Sequence, residues 1–246
     1  MPITKDTIAT ADGQCDVTVA TPEGTGPWPA VVMYPDAGGP RPTFDDMAAR
    51  LAALGYLVLV PDMYYRDAGW APFDMATVFG DGAERARLFG MIQKVTPEVM
   101  VADANAFFDY LAARPDVTGE RFGTTGYCMG GRTSFVLAGR LPDRIGAAMS
   151  FHGGGLVTDD DVSPHLRAAQ ISAVVYIAAA ENDGSFTVGQ GQILDAALTD
   201  AGVEHTVEFY PAAHGFAVPD NIGAYDEAAS QRHWDAMERV FAATLK

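Results

Sequence analysis

Apolar and polar residues alternate over residues 15–21 (CDVTVAT), and the alternation predicts a strand with one covered and one wet face. A partner strand near residues 7–10 is expected across the Ala11-Asp12-Gly13 turn. The pattern then changes. Residues 29–34 (PAVVMY), 56–60 (YLVLV), 121–125, 146–151, 172–178 and 205–210 are short runs rich in apolar or β-branched residues. Such runs suit parallel strands whose two faces are both covered. Between them, apolar residues recur at spacings of three and four over 44–54, 98–113, 130–141, 188–201 and 225–244. These segments predict helices, and the Arg114-Pro115 step closes the second. Strand and helix alternate, which predicts an α/β fold: a doubly wound, mostly parallel sheet with helices on both faces and antiparallel N-terminal strands. With no internal repeat and no low-complexity linker, residues 1–246 are expected to form one domain. Residues 67–96 break the rhythm, with Trp70, Phe73, Phe79 and a short helical piece over 84–92. That stretch is too long for an ordinary connection and suits either an insertion packed on the sheet or a cap over the site. Ligands of such sheets bind beyond the carboxyl ends of the strands, so functional residues are sought there.

Composition narrows the partners. Hydrophobic residues make up 48 % of the 246 residues and charged ones 20 %, which excludes disordered, collagen-like and coiled-coil classes. Two cysteines exclude a disulfide framework and a four-thiolate zinc site. The formal net charge of −16 repels nucleic acid and anionic membrane surfaces, so a small molecule is the expected partner. The apolar runs fall well short of the roughly 20 residues of a membrane helix. The opening MPITKDTIATADG lacks the apolar core of a signal peptide, so a cytoplasmic, reducing location is expected. Neither a Gly-x-Gly-x-x-Gly nor a phosphate loop occurs, and no cofactor or metal is expected; Asp159-Asp160-Asp161 suits a solvated loop.

Gly126-Tyr127-Cys128-Met129-Gly130-Gly131 carries the most chemistry. An expected strand enters it and an expected helix leaves it, the thiol counterpart of the Gly-x-Ser-x-Gly turn. A nucleophile on so tight a bend needs small residues two before and two after it, and Gly126 and Gly130 meet that need. The helix N-terminus beneath the sulfur favours a thiolate. The Met129 N–H can point at a developing oxyanion. The alternative is a buried cysteine in a Gly-rich turn. Cys15, in an alternating strand without glycine neighbours, reads as structural.

A reactive thiol needs a base, and the base needs an orienting acid, in the chain order nucleophile, acid, histidine. His214 follows the last strand in Pro211-Ala-Ala-His214-Gly-Phe and is the candidate base. His152 ends the strand 146–151 and is either a substrate contact or a strand-end histidine. His165, His205 and His233 read as structural or solvated. The acid should follow the strand 172–178, where Glu181 and Asp183 both stand, and the shorter Asp183, beside a helix-starting Ser185, fits better; a helix N-cap is the alternative for either. After the strand 29–34 come Pro35-Asp36-Ala37-Gly38-Gly39. The Ala37 N–H is the candidate second oxyanion donor, with Asp36 expected near Cys128 unless it only stabilises its own turn.

These residues in this order resemble the dienelactone hydrolase family of α/β-hydrolases (carboxymethylenebutenolidase-like) over nearly the whole chain. The resemblance rests on Gly126-Tyr-Cys128-Met-Gly-Gly, Pro61-Asp-Met-Tyr64-Tyr65-Arg66, Glu181-Asn-Asp183 and His214-Gly-Phe. It implies Cys128 as nucleophile, His214 as base and Asp183 as its orienter. It implies a thiol-activating carboxylate at Asp36, where the family has a glutamate, and a site role for Tyr65. The family archetype binds a substrate carboxylate through an arginine four residues after the histidine, where this chain has Val218, and through another before the 98–113 helix, for which Arg85 and Arg87 are candidates. The implied activity is hydrolysis of a small ester or lactone through a thioester. A broad-range esterase or thioesterase on the same residues, or a binding module that kept the fold, are the rival readings.

Overall fold

The computed structural model describes residues 1–75 and 77–246. Strands β1 (Ile3–Thr10) and β2 (Gly13–Ala20) form an antiparallel hairpin, with Ile3 opposite Ala20 and Thr10 opposite Gly13. Then come β3 (Trp28–Tyr34), α1 (Pro42–Ala53), β4 (Leu57–Pro61), α2 (Gly82–Lys94), α3 (Pro97–Ala112), β5 (Val117–Tyr127) and α4 (Met129–Arg140). The chain continues through β6 (Ile145–Phe151), a 3-10 helix over Pro164–Gln170, β7 (Val174–Asn182), α5 (Val188–Asp200), β8 (His205–Ala213) and α6 (Glu227–Thr244). The sheet has eight strands in the order β1-β2-β4-β3-β5-β6-β7-β8. β2 is antiparallel to both β1 and β4, and the other pairings are parallel. This is the expected doubly wound α/β class, with the antiparallel start where alternation placed it.

Both faces of the sheet are covered, which is why its central strands read as unbroken apolar runs. Along β3, Val31 and Met33 pack with Phe44 and Leu51 of α1 and Trp234 and Phe241 of α6. Ala30 and Val32 pack instead with Phe107 of α3, Phe135 of α4, Leu194 of α5 and Leu88 of α2. Helix starts follow local chemistry. The Asp81 carboxylate accepts from the Ala83 and Glu84 N–H groups at the head of α2, and Thr96 caps α3 with Pro97 at its first position.

Several boundaries differ from the pattern-based ones, and polar edges explain them. β1 begins at Ile3 because an outer strand needs no apolar run; residues 3–7 are exposed. β5 begins at Val117, where Trp28 of β3 pairs with it, although Gly119 and Glu120 hide the strand in the sequence. β7 runs on to Asn182, which pairs with Ala213, so Glu181 lies within the strand and exposed. α5 starts at Val188 behind a Thr187–Gln190 capping box, so Ser185 does not start the helix. β5, β6, β7 and β8 all end on one rim, and β3 beside them delivers the loop 35–41.

Candidate active site

β5 delivers Cys128 to that rim and α4 begins at the next residue. Cys128 has φ 52 and ψ −115, a left-handed backbone that costs a residue with a side chain about 1–3 kcal/mol. The surroundings enforce it. A Cβ on Gly126 would lie 2.1 Å from the Gly130 carbonyl oxygen, and one on Gly130 would lie 2.2 Å from that of Tyr34. Both contacts are with backbone, so neither glycine has room for a side chain. The Cys128 N–H donates to the Phe151 carbonyl at 3.1 Å, and the Arg132 N–H to the Cys128 carbonyl at 3.1 Å. The thiol is left half-buried at the positive end of α4. Cys15 is different. It is fully buried, its Sγ–H donates to the Asp62 carbonyl at 3.3 Å, and burial pushes its thiol far up.

His214 follows β8 directly. Its Nδ1 lies 2.6 Å from Asp183 Oδ2, and Asp183 directly follows β7. The other oxygen, Oδ1, accepts from the Ser185 N–H at 2.8 Å and the Ser185 hydroxyl at 2.7 Å. Ser185 thus closes a turn that aims Asp183 at the histidine. Burial alone would lower the His214 pKa, but the bonds to Asp183 and Cys128 outweigh it and raise the pKa to about 10. Burial raises Asp183, but the bonds to His214 and Ser185 prevail and leave it below the usual carboxylate value. His214 therefore bonds the acid and lines the same cavity as the thiol.

The loop after β3 supplies Ala37. The Tyr64 hydroxyl donates to the Ala37 carbonyl at 3.0 Å and lies 3.6 Å from the Met129 sulfur, tying this loop to the head of α4. The Gly38 N–H donates to Asp36 Oδ1 at 2.9 Å and the Gly39 N–H to the Asp36 carbonyl at 3.0 Å, and neither bond uses the Ala37 N–H.

Ala37, Cys128, Met129, Asp183, Ser185 and His214 line one cavity of about 540 Å³. Phe79, Leu88, Phe89 and Ile92 form its apolar wall, all from the stretch 67–96. Arg132, one helical turn after Cys128, is the cation in the lining. Its Nε is buried and has no hydrogen-bond partner among the described residues.

Five expected site residues do not line the cavity. Asp36 is buried, and its two oxygens bind the Arg41 guanidinium at 2.7 and 2.9 Å. Tyr65 turns toward the β1–β2 hairpin, its hydroxyl 2.6 Å from Thr10 and 2.9 Å from Asp103; its neighbour Tyr64 faces the site. Arg85 is exposed, and Arg87 pairs with Glu84 and stacks on Phe73 outside the cavity. His152 is buried at φ 41, with both ring nitrogens unpartnered among the described residues. It touches the His214 ring at 5.1 Å between centroids and does not line the cavity. Burial, then the neighbouring His214 and His233, hold it neutral. His165 bonds Ser163, His205 bonds the Val203 carbonyl, and His233 is buried against Tyr127. Val218 is fully buried. No cluster suited to a metal ion occurs among the described residues. Arg132 and Arg41 escaped the sequence reading, and Tyr64 and Ser185 were named there without a role in the site; Arg132, four residues after the cysteine, and Ser185, two after Asp183, carried local signals.

A doubly wound sheet bearing a glycine-flanked thiol on its strand-to-helix bend, with a histidine and an acid on neighbouring rim loops, is the architecture of an α/β-hydrolase. The family model described as the dienelactone hydrolase family matches residues 15–245, and the chain belongs to that family. A Synechocystis protein named "Putative carboxymethylenebutenolidase" is 26 % identical over 237 residues, covering 93 % of this chain and 91 % of the relative. A Salmonella typhi protein of the same name is 28 % identical over 222 residues, covering 88 % and 78 %. Among solved structures, a "Putative Dienelactone Hydrolase" of Klebsiella pneumoniae matches at TM-score 0.83 and 25 % identity, covering 98 % of each chain. A dienelactone hydrolase-like promiscuous phosphotriesterase from metagenomic libraries matches at TM-score 0.75 and 25 % identity over 100 % of each. The protein is a hydrolase of the ester- and lactone-cleaving kind.

Proposed function

We propose that the protein hydrolyses a small ester or lactone through a Cys128–His214–Asp183 triad and a thioester intermediate. The observation that carries this reading is His214 bonded to Asp183 and lining one cavity with the Cys128 thiol. His214 takes the thiol proton, and its raised pKa lets it keep that proton at neutral pH. The Cys128 thiolate attacks the carbonyl carbon, and the N–H groups of Ala37 and Met129 receive the oxyanion. The intermediate collapses to a thioester, and the departing alkoxide takes the proton from His214. Water, deprotonated by His214, then attacks the thioester, and the Cys128 thiolate leaves with the carboxylic acid released. Acid–base help of this kind is worth on the order of 10²–10⁴ in rate.

The cavity suggests the substrate's shape. Phe79, Leu88, Phe89 and Ile92 suit an apolar body, and the described residues of the stretch 67–96 act as a cap over it. With Val218 buried and Arg85 and Arg87 outside, Arg132 is the residue to meet an anionic group on the substrate. The protein works in the cytoplasm on a small molecule, without a cofactor. The test is turnover of p-nitrophenyl acetate and of carboxylate-bearing enol lactones by wild type, Cys128→Ala and His214→Ala. Loss of at least 10³-fold in both variants is expected. Wild-type turnover in Cys128→Ala removes the reading.

A further inference from the structure

Arg41 heads α1, at the far end of the loop that carries Ala37, yet its side chain is only 8 % exposed. All five of its N–H groups are engaged. Nη1 donates to Asp36 Oδ1 at 2.7 Å and to the Gly39 carbonyl at 3.0 Å, and Nη2 donates to Asp36 Oδ2 at 2.9 Å. Nη2 also donates to Asp220 Oδ1 at 2.9 Å, and Nε to Asp220 Oδ2 at 2.6 Å. The guanidinium thus grips two carboxylates, each bidentately: Asp36, 5 residues away in sequence, and Asp220, 179 residues away. Burying such a group is costly unless every donor is satisfied, and a lysine could not reproduce the paired fork.

Both ends of this bridge abut the site. On one side Asp36 precedes Ala37, and its Oδ1, besides binding Arg41, accepts the Gly38 N–H. The peptide unit that follows Ala37 is therefore held by a carboxylate that Arg41 fixes. Space is tight as well: a Cβ on Gly38 would lie 2.8 Å from Arg41 Nη1. On the other side Asp220 precedes Asn221, whose side-chain amide lies 2.1 Å from where a Cβ on Gly215 would stand. Gly215 follows His214 at φ +97. The His214 loop thus rests on the residue next to Asp220.

We propose that Arg41 is a positioning residue that locks the Ala37 loop against the His214 loop and so sets the second oxyanion donor for the thiol reaction. The proposal rests on the Cys128 hydrolase reading. Arg41 touches no reacting atom and does not line the cavity. His214 has its own anchor in Asp183, so the larger consequence of losing Arg41 falls on the oxyanion side. A misplaced oxyanion donor costs about 10²–10³ in kcat.

The experiment compares wild type, Arg41→Met, Arg41→Lys and Asp220→Asn by three measurements. They are kcat and KM on p-nitrophenyl acetate, the rate of Cys128 alkylation by iodoacetamide, and backbone hydrogen exchange of residues 35–41 and 214–224. Alkylation at carbon passes through no oxyanion, so it reports the thiol alone. The expected result is a kcat about 100-fold lower in Arg41→Met with KM changed less than about 3-fold. Alkylation stays within about twofold, and exchange rises in both loops. Arg41→Lys recovers only part of kcat, because it cannot hold both carboxylates. Asp220→Asn, on the partly exposed side of the bridge, shows the same pattern in weaker form and carries the test if the Arg41 variants do not fold. A folded Arg41→Met with wild-type kcat, or with unchanged exchange in both loops, overturns the proposal. So does a parallel fall of kcat and alkylation, which places the loss in the thiol. If wild-type turnover proves independent of Cys128, the hydrolase reading fails by itself, and the exchange data still decide whether Arg41 locks the loops.

Discussion

His152 holds two ring nitrogens in the interior that have no partner among the described residues, and each unpartnered nitrogen costs about 1–3 kcal/mol to bury. Its ring meets His214 and Phe216, each at 5.1 Å between centroids, as a phenyl ring would. His152→Phe is therefore expected to keep turnover and to raise the melting temperature by roughly 2–4 °C for each kcal/mol recovered. A lower melting temperature in a thermal melt means that the nitrogens have partners. Asp183 offers a second residue-scale prediction. Its bond and charge raise His214, so Asp183→Asn lowers the His214 pKa below about 10. His214 must be protonated to release the alkoxide, so the alkaline limb of the kcat/KM profile moves to lower pH in the variant. A limb that stays in place contradicts the role given to Asp183. The residues visible in the sequence, Cys128, His214 and Asp183, are those whose chemistry is local to a strand end. Tyr64 and Arg41 were hidden because their use depends on partners that only folding brings near: Tyr64 meets Met129 and Ala37, and Arg41 meets Asp220.

The strand-to-helix bend is the element on which the site turns. Gly130→Ala would drive a methyl group to 2.2 Å from the Tyr34 carbonyl oxygen, with backbone on both sides and nothing flexible to yield. The expected outcome is loss of soluble folded protein or a melting temperature lower by many degrees, with turnover abolished. A folded Gly130→Ala of full activity means that the bend is not held as described. This element was legible because two glycines at fixed offsets from a cysteine, between an apolar run and a helical period, have few other uses. The α2 segment was legible only as an interruption. Its apolar wall comes from Phe79, Leu88, Phe89 and Ile92, and two of these, Phe79 and Phe89, are largely exposed in the chain alone. Periodicity cannot tell such residues from a surface helix. Arg85 and Arg87 were candidates because they are cations in this segment. α2 presents the apolar side of its length to the cavity and leaves Arg87 to Glu84 and Phe73 outside.

At the scale of the molecule, the parallel order of β3, β5, β6, β7 and β8 gathers residues 37, 128, 183 and 214 onto one rim. Alternation of strand and helix sufficed to expect that class of sheet. The Arg41 partner of Asp36 was not read, because a sequence does not decide which charge a buried carboxylate meets, although Arg41 stood five residues away. Stability should carry the signature of the histidine pair. His214 has a folded pKa raised to about 10 from 6.5, so its contribution is complete below about pH 6.5 and is lost as pH rises through about 10. Asp183 has a lowered folded pKa, so its contribution holds above its ordinary value of 3.8 and is lost as pH falls below it. The difference in melting temperature between wild type and His214→Ala is therefore greatest between about pH 4 and 6.5 and shrinks toward pH 10. A difference that grows on the alkaline side reverses the sign assigned to His214.

The central claim, that Cys128 carries the acyl group, is tested most directly by acid-quenching the enzyme during turnover of p-nitrophenyl acetate and mapping the acetyl group by mass spectrometry. The account predicts one hydroxylamine-labile acetyl on the peptide bearing Cys128, at higher occupancy in His214→Ala if deacylation slows more than acylation. Steady turnover with Cys128 unmodified, or with the acetyl stably placed on another side chain, contradicts it.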